Sequence, residues 1–245
     1  MWHHPDLIYA KHPDHKGKDI KIQTPDDPLK LIEDEIEGTK YHGLPGHRFS
    51  GGAIGYLSYE YASRIEPSIP VPEEDQLKMP LTFFMITEIV IIFDHAHQSL
   101  TICANASTKD NPEASFNKAK DKIRETLELL SQPSRIKPTF LFEEKNEVIS
   151  PTEGNFSKSE FMNLVEKTKR YIREGDIIQA VLSQRFSIPF EEQPIDLYRA
   201  IRAINPSPYM FILETDDFSI VGASPEVHVR LNNGQVLIRP IAGTR

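Results

Sequence analysis

The sequence predicts an α+β fold, with large antiparallel sheets and helices packed outside them. Strand-like runs of β-branched and aromatic residues cluster in meanders instead of alternating one by one with helices, and turn-like segments such as Asp94–Gln98 and Asn232-Asn233-Gly234 join consecutive runs. Amphipathic helical stretches with their own start and stop signals flank the clusters. A polar stretch from Ser131 to about Ser157, carrying Pro133, Pro138, Pro151 and the pair Glu143-Glu144, places a boundary at about residue 145. It separates an N-terminal region, 1–145, from the start of a second domain, 146–245.

The N-terminal region is β-rich at its centre. Residues 49–61, FSGGAIGYLSYEY, supply strand glycines and aromatics, and LTFFMITEIVIIFD (81–94) and QSLTICANA (98–106) are β-branched runs joined by a hairpin at DHAHQ. A helix closes the region. Asn111 caps it, Pro112 takes the first helical position, where a missing N–H costs nothing, and Phe116, Ala119, Ile123, Leu127 and Leu130 recur on one face.

The second region opens on Ser157-Lys-Ser-Glu160, a capping box in which the serine and glutamate side chains each satisfy an orphan amide. Phe161, Leu164, Val165, Thr168, Tyr171 and Ile172 form the stripe of the helix that follows, and Gly175 ends it in the left-handed conformation. Residues 177–186, IIQAVLSQRF, predict a largely apolar strand interrupted by Gln179 and Gln184, whose amides need partners if buried. A second helix, Pro194 to Ile204, leads to Asn205-Pro206, because proline disfavours helical geometry in the residue before it. Residues 209–214, FSIVGA, VHVRLN and QVLIRPIA then predict an antiparallel meander with a hairpin turn at Asn232-Asn233-Gly234.

Composition narrows the function classes. The 245 residues carry a net charge of -8 and no Lys/Arg run, which argues against a duplex nucleic-acid binder. The most apolar segment, Phe83 to Phe93, is too short to span a bilayer and contains Glu88, and no signal-like pattern follows Met1, so the cytoplasm is the expected location. The single Cys103 reads as a small buried apolar residue, and the sequons at Asn105 and Asn155 then carry no meaning. Gly51-Gly52 and Gly55 lack the order of a phosphate-binding loop and read as strand glycines, while His95 with His97, and His3 with His4, lack a third convergent ligand for zinc.

Chemistry concentrates in the last forty-one residues. At Gly243-Thr244 a glycine lets the backbone amide approach a carboxylate while the neighbouring hydroxyl donates a second hydrogen bond. Pro206 and Pro208 fix φ and remove two donors, which leaves carbonyls free to accept from a ligand ammonium. Tyr209, Met210 and Phe211 add apolar walls beside them. Such a segment suits an amino acid with a packed aromatic side chain.

With these features in place, NPSPYMF (205–211), VGASPE (221–226), PIAGTR (240–245) and GGAIGY (51–56) resemble the chorismate-utilising enzymes, and most closely the large subunit of anthranilate synthase, component I. The resemblance runs from about Phe49 to Arg245. In that family PIAGTR is followed by most of the catalytic half, so the sequence looks like a fragment of a truncated anthranilate synthase-like fold. The resemblance implies an enzyme that adds ammonia, obtained from glutamine, to chorismate and eliminates pyruvate to give anthranilate for tryptophan biosynthesis, with the 245 residues inactive alone. Gly243, Thr244 and Gln179 are implied as chorismate-binding residues. Asn205, Pro206, Pro208, Tyr209 and Met210 are implied as part of a tryptophan feedback site, whose other half in the family, a Leu-Glu-Ser segment, is not found in residues 1 to 60.

Two positions separate this chain from related enzymes. Aminodeoxychorismate synthases, the alternative within the family, often carry a lysine nucleophile where this chain has Ala242, and isochorismate and salicylate synthases tend to carry a lysine base where it has Gln179. Neither side chain here does that chemistry, which favours ammonia as an external nucleophile. The alternative from another class is a non-catalytic module that binds tryptophan or a partner subunit. The resemblance further implies Mg2+, with ligands beyond Arg245, and a glutamine amidotransferase subunit as partner. An uncovered sheet edge invites aggregation, so the chain expressed alone is expected to be poorly soluble or partly unfolded.

Overall fold

The computed structural model describes residues 7–11, 19–23, 27–37, 49–71, 75–107, 111–134 and 153–240. The chain divides into two compact units, Met1–Arg135 and Ile136–Arg245. The boundary expected at about 145 lies outside the described residues.

In the first unit, β1 (Leu7–Lys11) pairs antiparallel with β2 (Asp19–Gln23), followed by helix α1 (Leu29–Glu37). β3 (Gly52–Leu57) then pairs with β4 (Thr82–Thr87), and a 3-10 turn over Tyr59–Tyr61 runs into the short helix α2 (Ala62–Ile65). The expected hairpin at 94–98 forms between β5 (Ile89–Asp94) and β6 (Ser99–Ala104). The run 81–94 is two strands, however, and not one. It breaks at Glu88, so that its first half pairs with β3 and its second with β6. Helix α3 (Pro112–Ser131) starts as expected, with the Asn111 side chain accepting from the Ala114 amide at 3.1 Å, and it packs against β6.

Asn105 ties these ladders together. Its Nδ2 donates to the Ser50 carbonyl at 2.9 Å and the Thr87 carbonyl at 3.3 Å, and its backbone N–H donates to the Glu88 carbonyl at 2.7 Å. Both side-chain protons are therefore engaged inside the unit. A second anchor is Tyr61, only 3% exposed, whose hydroxyl donates to Asp27 Oδ1 at 2.5 Å while the same oxygen accepts from the Leu29 amide at the start of α1. Burial, reinforced by the Asp27 carboxylate, pushes the Tyr61 hydroxyl up to about 12. The hydroxyl in turn holds Asp27 below the ordinary carboxylate range.

In the second unit, β7 (Glu153–Gly154) pairs with β8 (Phe186–Ser187), and helix α4 (Lys158–Glu174) begins with the complete capping box of Ser157 and Glu160. It ends at Gly175 with φ 87°, as the sequence indicated. Helix α5 (Pro194–Ile204) packs on the hairpin of β9 (Tyr209–Glu214) and β10 (Ser219–Ser224). β11 (Arg230–Asn232) pairs with β12 (Gln235–Leu237) across Asn233 and Gly234, which take φ 50° and 76°, the positive pair that a two-residue type I′ turn requires.

Two expectations change here. The meander is two separate hairpins, because β10 and β11 do not pair and only Arg230–Asn232 of VHVRLN is strand. The strand expected at 177–186 forms only at its last residue, Phe186, within β8. Apolar composition selects an extended conformation, but a ladder also needs a neighbouring strand, and residues 177–183 have none among the described residues. The architecture is α+β and antiparallel throughout, with every ladder among the described residues two-stranded. No helix of the described residues is long and apolar enough to cross a membrane.

Candidate functional site

The motif-bearing residues are built on one frame, the α5 helix and the β9–β10 hairpin. Pro194 starts α5 at a position where no N–H is needed, and Asn205 closes it, its amide donating to the Ile201 carbonyl at 2.8 Å. The prolines at 206 and 208 prevent the helix from continuing. They hand the chain to β9, where Tyr209 faces Ser224 and Met210 faces Ala223 in register. Asn205, Pro206 and Pro208 are exposed, Tyr209 and Met210 half-buried, and Leu213, 8% exposed, is the hairpin's buried anchor. The five residues implied for a tryptophan site thus form one continuous surface segment.

Across the hairpin, Gly222 stands opposite Phe211, and the Phe211 ring occupies the space that a Cβ at 222 would take. The glycine is required by this close approach. At the end of β10, Ser224 Oγ donates to the Glu226 carbonyl at 2.9 Å and accepts from the Glu226 amide at 3.4 Å. Ser224 is therefore a turn-forming side chain in this structure.

Gln179 stands apart from this frame. It is exposed, in the segment between α4 and β8, which is neither helix nor strand. The far end of that segment is held by Gln184, whose Nε2 donates to the Phe156 carbonyl at 2.8 Å, and by Asn155, which accepts from the Arg185 amide at 2.8 Å and donates its own amide to the Arg185 carbonyl at 3.0 Å. The sequence pointed to Gln184 as an amide in need of a partner, but it held no signal for Asn155 beyond a sequon. Gly243 and Thr244, with Ala242 and Arg245, lie outside the described residues. A shallow cleft of about 310 Å³ opens beside α4, lined by Phe156, Glu160, Asn163, Leu164 and Lys167, and contains none of the expected site residues.

In the first unit, His95 and His97 belong to the β5–β6 turn, where His97 Nδ1 lies 2.8 Å from Asp94 Oδ2. Among the described residues no three His, Cys, Asp or Glu side chains converge as metal ligands. They supply no donor set for magnesium.

The described residues thus form an antiparallel α+β frame that presents a proline-bounded aromatic strand. A profile of chorismate binding enzymes matches residues 3–245, and the chain belongs to that family. It is 40% identical over 221 residues to anthranilate synthase component 1 of Acetivibrio thermocellus, covering 89% of this chain and 44% of the relative. It is 34% identical over 233 residues to that of Pseudomonas putida, covering 94% and 47%. Among solved structures it is similar to anthranilate synthase component I from Streptococcus pneumoniae TIGR4, with 31% identity and a TM-score of 0.70 over 90% of this chain and 47% of that one. The chain therefore spans less than half the length of these relatives. The α+β antiparallel fold expected from the sequence agrees with that structure.

Proposed function

We propose that these 245 residues contribute part of an anthranilate synthase component I, a lyase that joins ammonia to chorismate and releases pyruvate and anthranilate in tryptophan biosynthesis. The observation that carries this reading is the 40% identity to anthranilate synthase component 1 across 89% of the chain, together with an intact PIAGTR motif. On this reading the 1–145 region is the N-terminal part and 146–245 the start of the chorismate-binding catalytic domain.

The Gly243 amide and the Thr244 hydroxyl donate to a chorismate carboxylate, and Gln179 contributes a neutral amide in place of a base. An amide cannot deprotonate water, and Ala242 cannot attack the ring, so the nucleophile must bring its own lone pair. Ammonia does. The segment Asn205–Met210 is the proposed site for tryptophan as feedback inhibitor: its exposed prolines leave carbonyls open to an ammonium, and the half-buried Tyr209 and Met210 offer apolar surface. A glutamine amidotransferase subunit as ammonia source, Mg2+ held by ligands outside the described residues, and a cytoplasmic location complete the proposal.

The test is formation of fluorescent anthranilate from chorismate and ammonium by a polypeptide that carries these residues together with the remainder of the family fold. Anthranilate and pyruvate in equal amounts are expected, with the 245-residue chain alone inactive. Aminodeoxychorismate as the product would replace this reading with the aminodeoxychorismate synthase one. Gln179→Lys is expected to depress anthranilate formation at least ~10-fold, because a base beside the ring lets water compete with ammonia.

A further inference from the structure

Asn233 is the one asparagine in the sequence that a glycine follows. The pair forms the two-residue loop between β11 and β12, with φ 50° at Asn233 and 76° at Gly234, and both residues are exposed. Gly234 presents its amide nitrogen with no Cβ to shield it, and no atom beyond its chain neighbours lies within 4 Å of where that Cβ would stand. Neither the Gly234 N–H nor the Asn233 side chain has a hydrogen-bond partner among the described residues. The side-chain carbonyl carbon of Asn233 and the nitrogen next to it in the chain are therefore both open to water, and asparagine is the thermolabile partner of such a pair. Asn232 is exposed as well, but the amide that follows it belongs to Asn233, which carries a Cβ.

We propose that Asn233 is a self-modification site, where the turn converts to aspartate and isoaspartate, and that the isoaspartate form unpairs β11 from β12. The Gly234 nitrogen gives its proton to hydroxide and attacks Asn233 Cγ. The Cγ–Nδ2 bond breaks, ammonia leaves with a proton taken from water, and a five-membered succinimide joins the two residues. Water then opens the ring. Attack at Cγ restores the ordinary backbone as aspartate, whereas attack at the Asn233 backbone carbonyl carbon leaves the chain running through Cγ as isoaspartate. The sum is one water consumed and one ammonia released, with no change of oxidation state. Isoaspartate lengthens the backbone of a loop whose length sets the register of Arg230 with Leu237, Leu231 with Val236 and Asn232 with Gln235. A type I′ turn does not accommodate the added methylene, so these pairs part. β12 ends at Leu237, and PIAGTR begins at Pro240, so the change falls just upstream of that motif.

The test uses a polypeptide that carries these residues together with the remainder of the family fold, incubated at pH 6 and at pH 8 and mapped by mass spectrometry. Asn233 is expected to gain the mass difference between –NH2 and –OH, as a mixture of aspartate and isoaspartate, at least ~10-fold faster at pH 8, because the attacking nitrogen must lose its proton. Asn232 is expected to stay intact over the same time. In the isoaspartate form the β11 and β12 amides are expected to exchange at least ~10-fold faster than in fresh protein. Asn233→Gly keeps a pair that suits the turn and removes the reacting carbonyl, so its hairpin amides should not change on incubation. Asn233→Asp, freshly purified, carries the new charge without the added backbone atom and should exchange like fresh protein. An Asn233 that survives as long as Asn232 overturns the proposal. So does conversion to isoaspartate that leaves the hairpin amides unchanged, and so does an Asn233→Gly protein whose hairpin loosens on the same schedule. None of these readouts depends on anthranilate formation, so failure of the functional reading leaves them intact.

Discussion

Removing the Asn105 side chain tests whether the first unit is held by one amide. In Asn105→Ala the Ser50 carbonyl loses its 2.9 Å donor and the Thr87 carbonyl loses a longer one at 3.3 Å. Ser50 is 4% exposed, so water has little access to replace the shorter bond. An unsatisfied buried acceptor costs ~1–3 kcal/mol, and with the weaker second bond the total is about 2 kcal/mol. That corresponds to roughly 30-fold faster hydrogen exchange, at about 1.4 kcal/mol per factor of ten, for amides of the β3–β4 and β5–β6 ladders. Gly51 supplies the control, because a Cβ there would lie 2.5 Å from Asn105 Nδ2. Gly51→Ala should therefore displace the amide and mimic its loss. In the Asn105→Ala background the same methyl enters vacated space, and its cost should shrink by about 1 kcal/mol or more, well beyond the ~0.5 kcal/mol within which independent sites add. Additive costs, or an Asn105→Ala variant that exchanges less than about threefold faster, would refute the reasoning.

Three further outcomes follow from local geometry. Gly175→Ala forces a Cβ into the left-handed region at φ 87° and should destabilise the end of α4 by ~1 kcal/mol, read as faster exchange of its last turn, with Gly175→Asn milder. Ser157→Ala removes half of the capping box and should cost ~1 kcal/mol in the first turn of α4, while Ser157→Asp retains most of it. The Tyr61–Asp27 pair sets both pH limits of α1. The lowered Asp27 contributes stability present above the ordinary carboxylate value and lost as acid titrates it in the fold. The raised Tyr61 contributes stability that is complete below the ordinary tyrosine value near 10 and disappears as pH rises through about 12. Circular dichroism across both limits should show a smaller alkaline loss in Tyr61→Phe, with the share due to the half-buried Tyr56 remaining.

Local signals were legible where one or two residues decide the outcome. Asn111 with Pro112, Ser157 with Glu160, Gly175, and Asn233 with Gly234 each fix a backbone conformation or satisfy an orphan amide within a few residues, so sequence alone located them. Pairing between distant segments was less legible. The 81–94 run has continuous β character, and only the opposing registers of β3 and β6 show that it serves two ladders. Residues 177–183 carry the side chains of a strand, but whether a strand forms depends on a neighbour that its own sequence does not encode. The motif segment at 205–211 was readable because prolines act locally, whereas Asn105 as an organiser gave no sign, since its partners lie 18 and 55 residues away.

The break at Glu88 has a kinetic side. Before either ladder forms, residues 81–93 are thirteen consecutive positions in which Glu88 is the sole charge, a composition that favours intermolecular cross-β stacking. Placed near the middle of that run and ion-paired to Lys122 of α3 once the unit folds, the carboxylate acts as a gatekeeper for the nascent chain. A neutral replacement would first appear as inclusion bodies and lost yield on expression, ahead of any change in the folded unit.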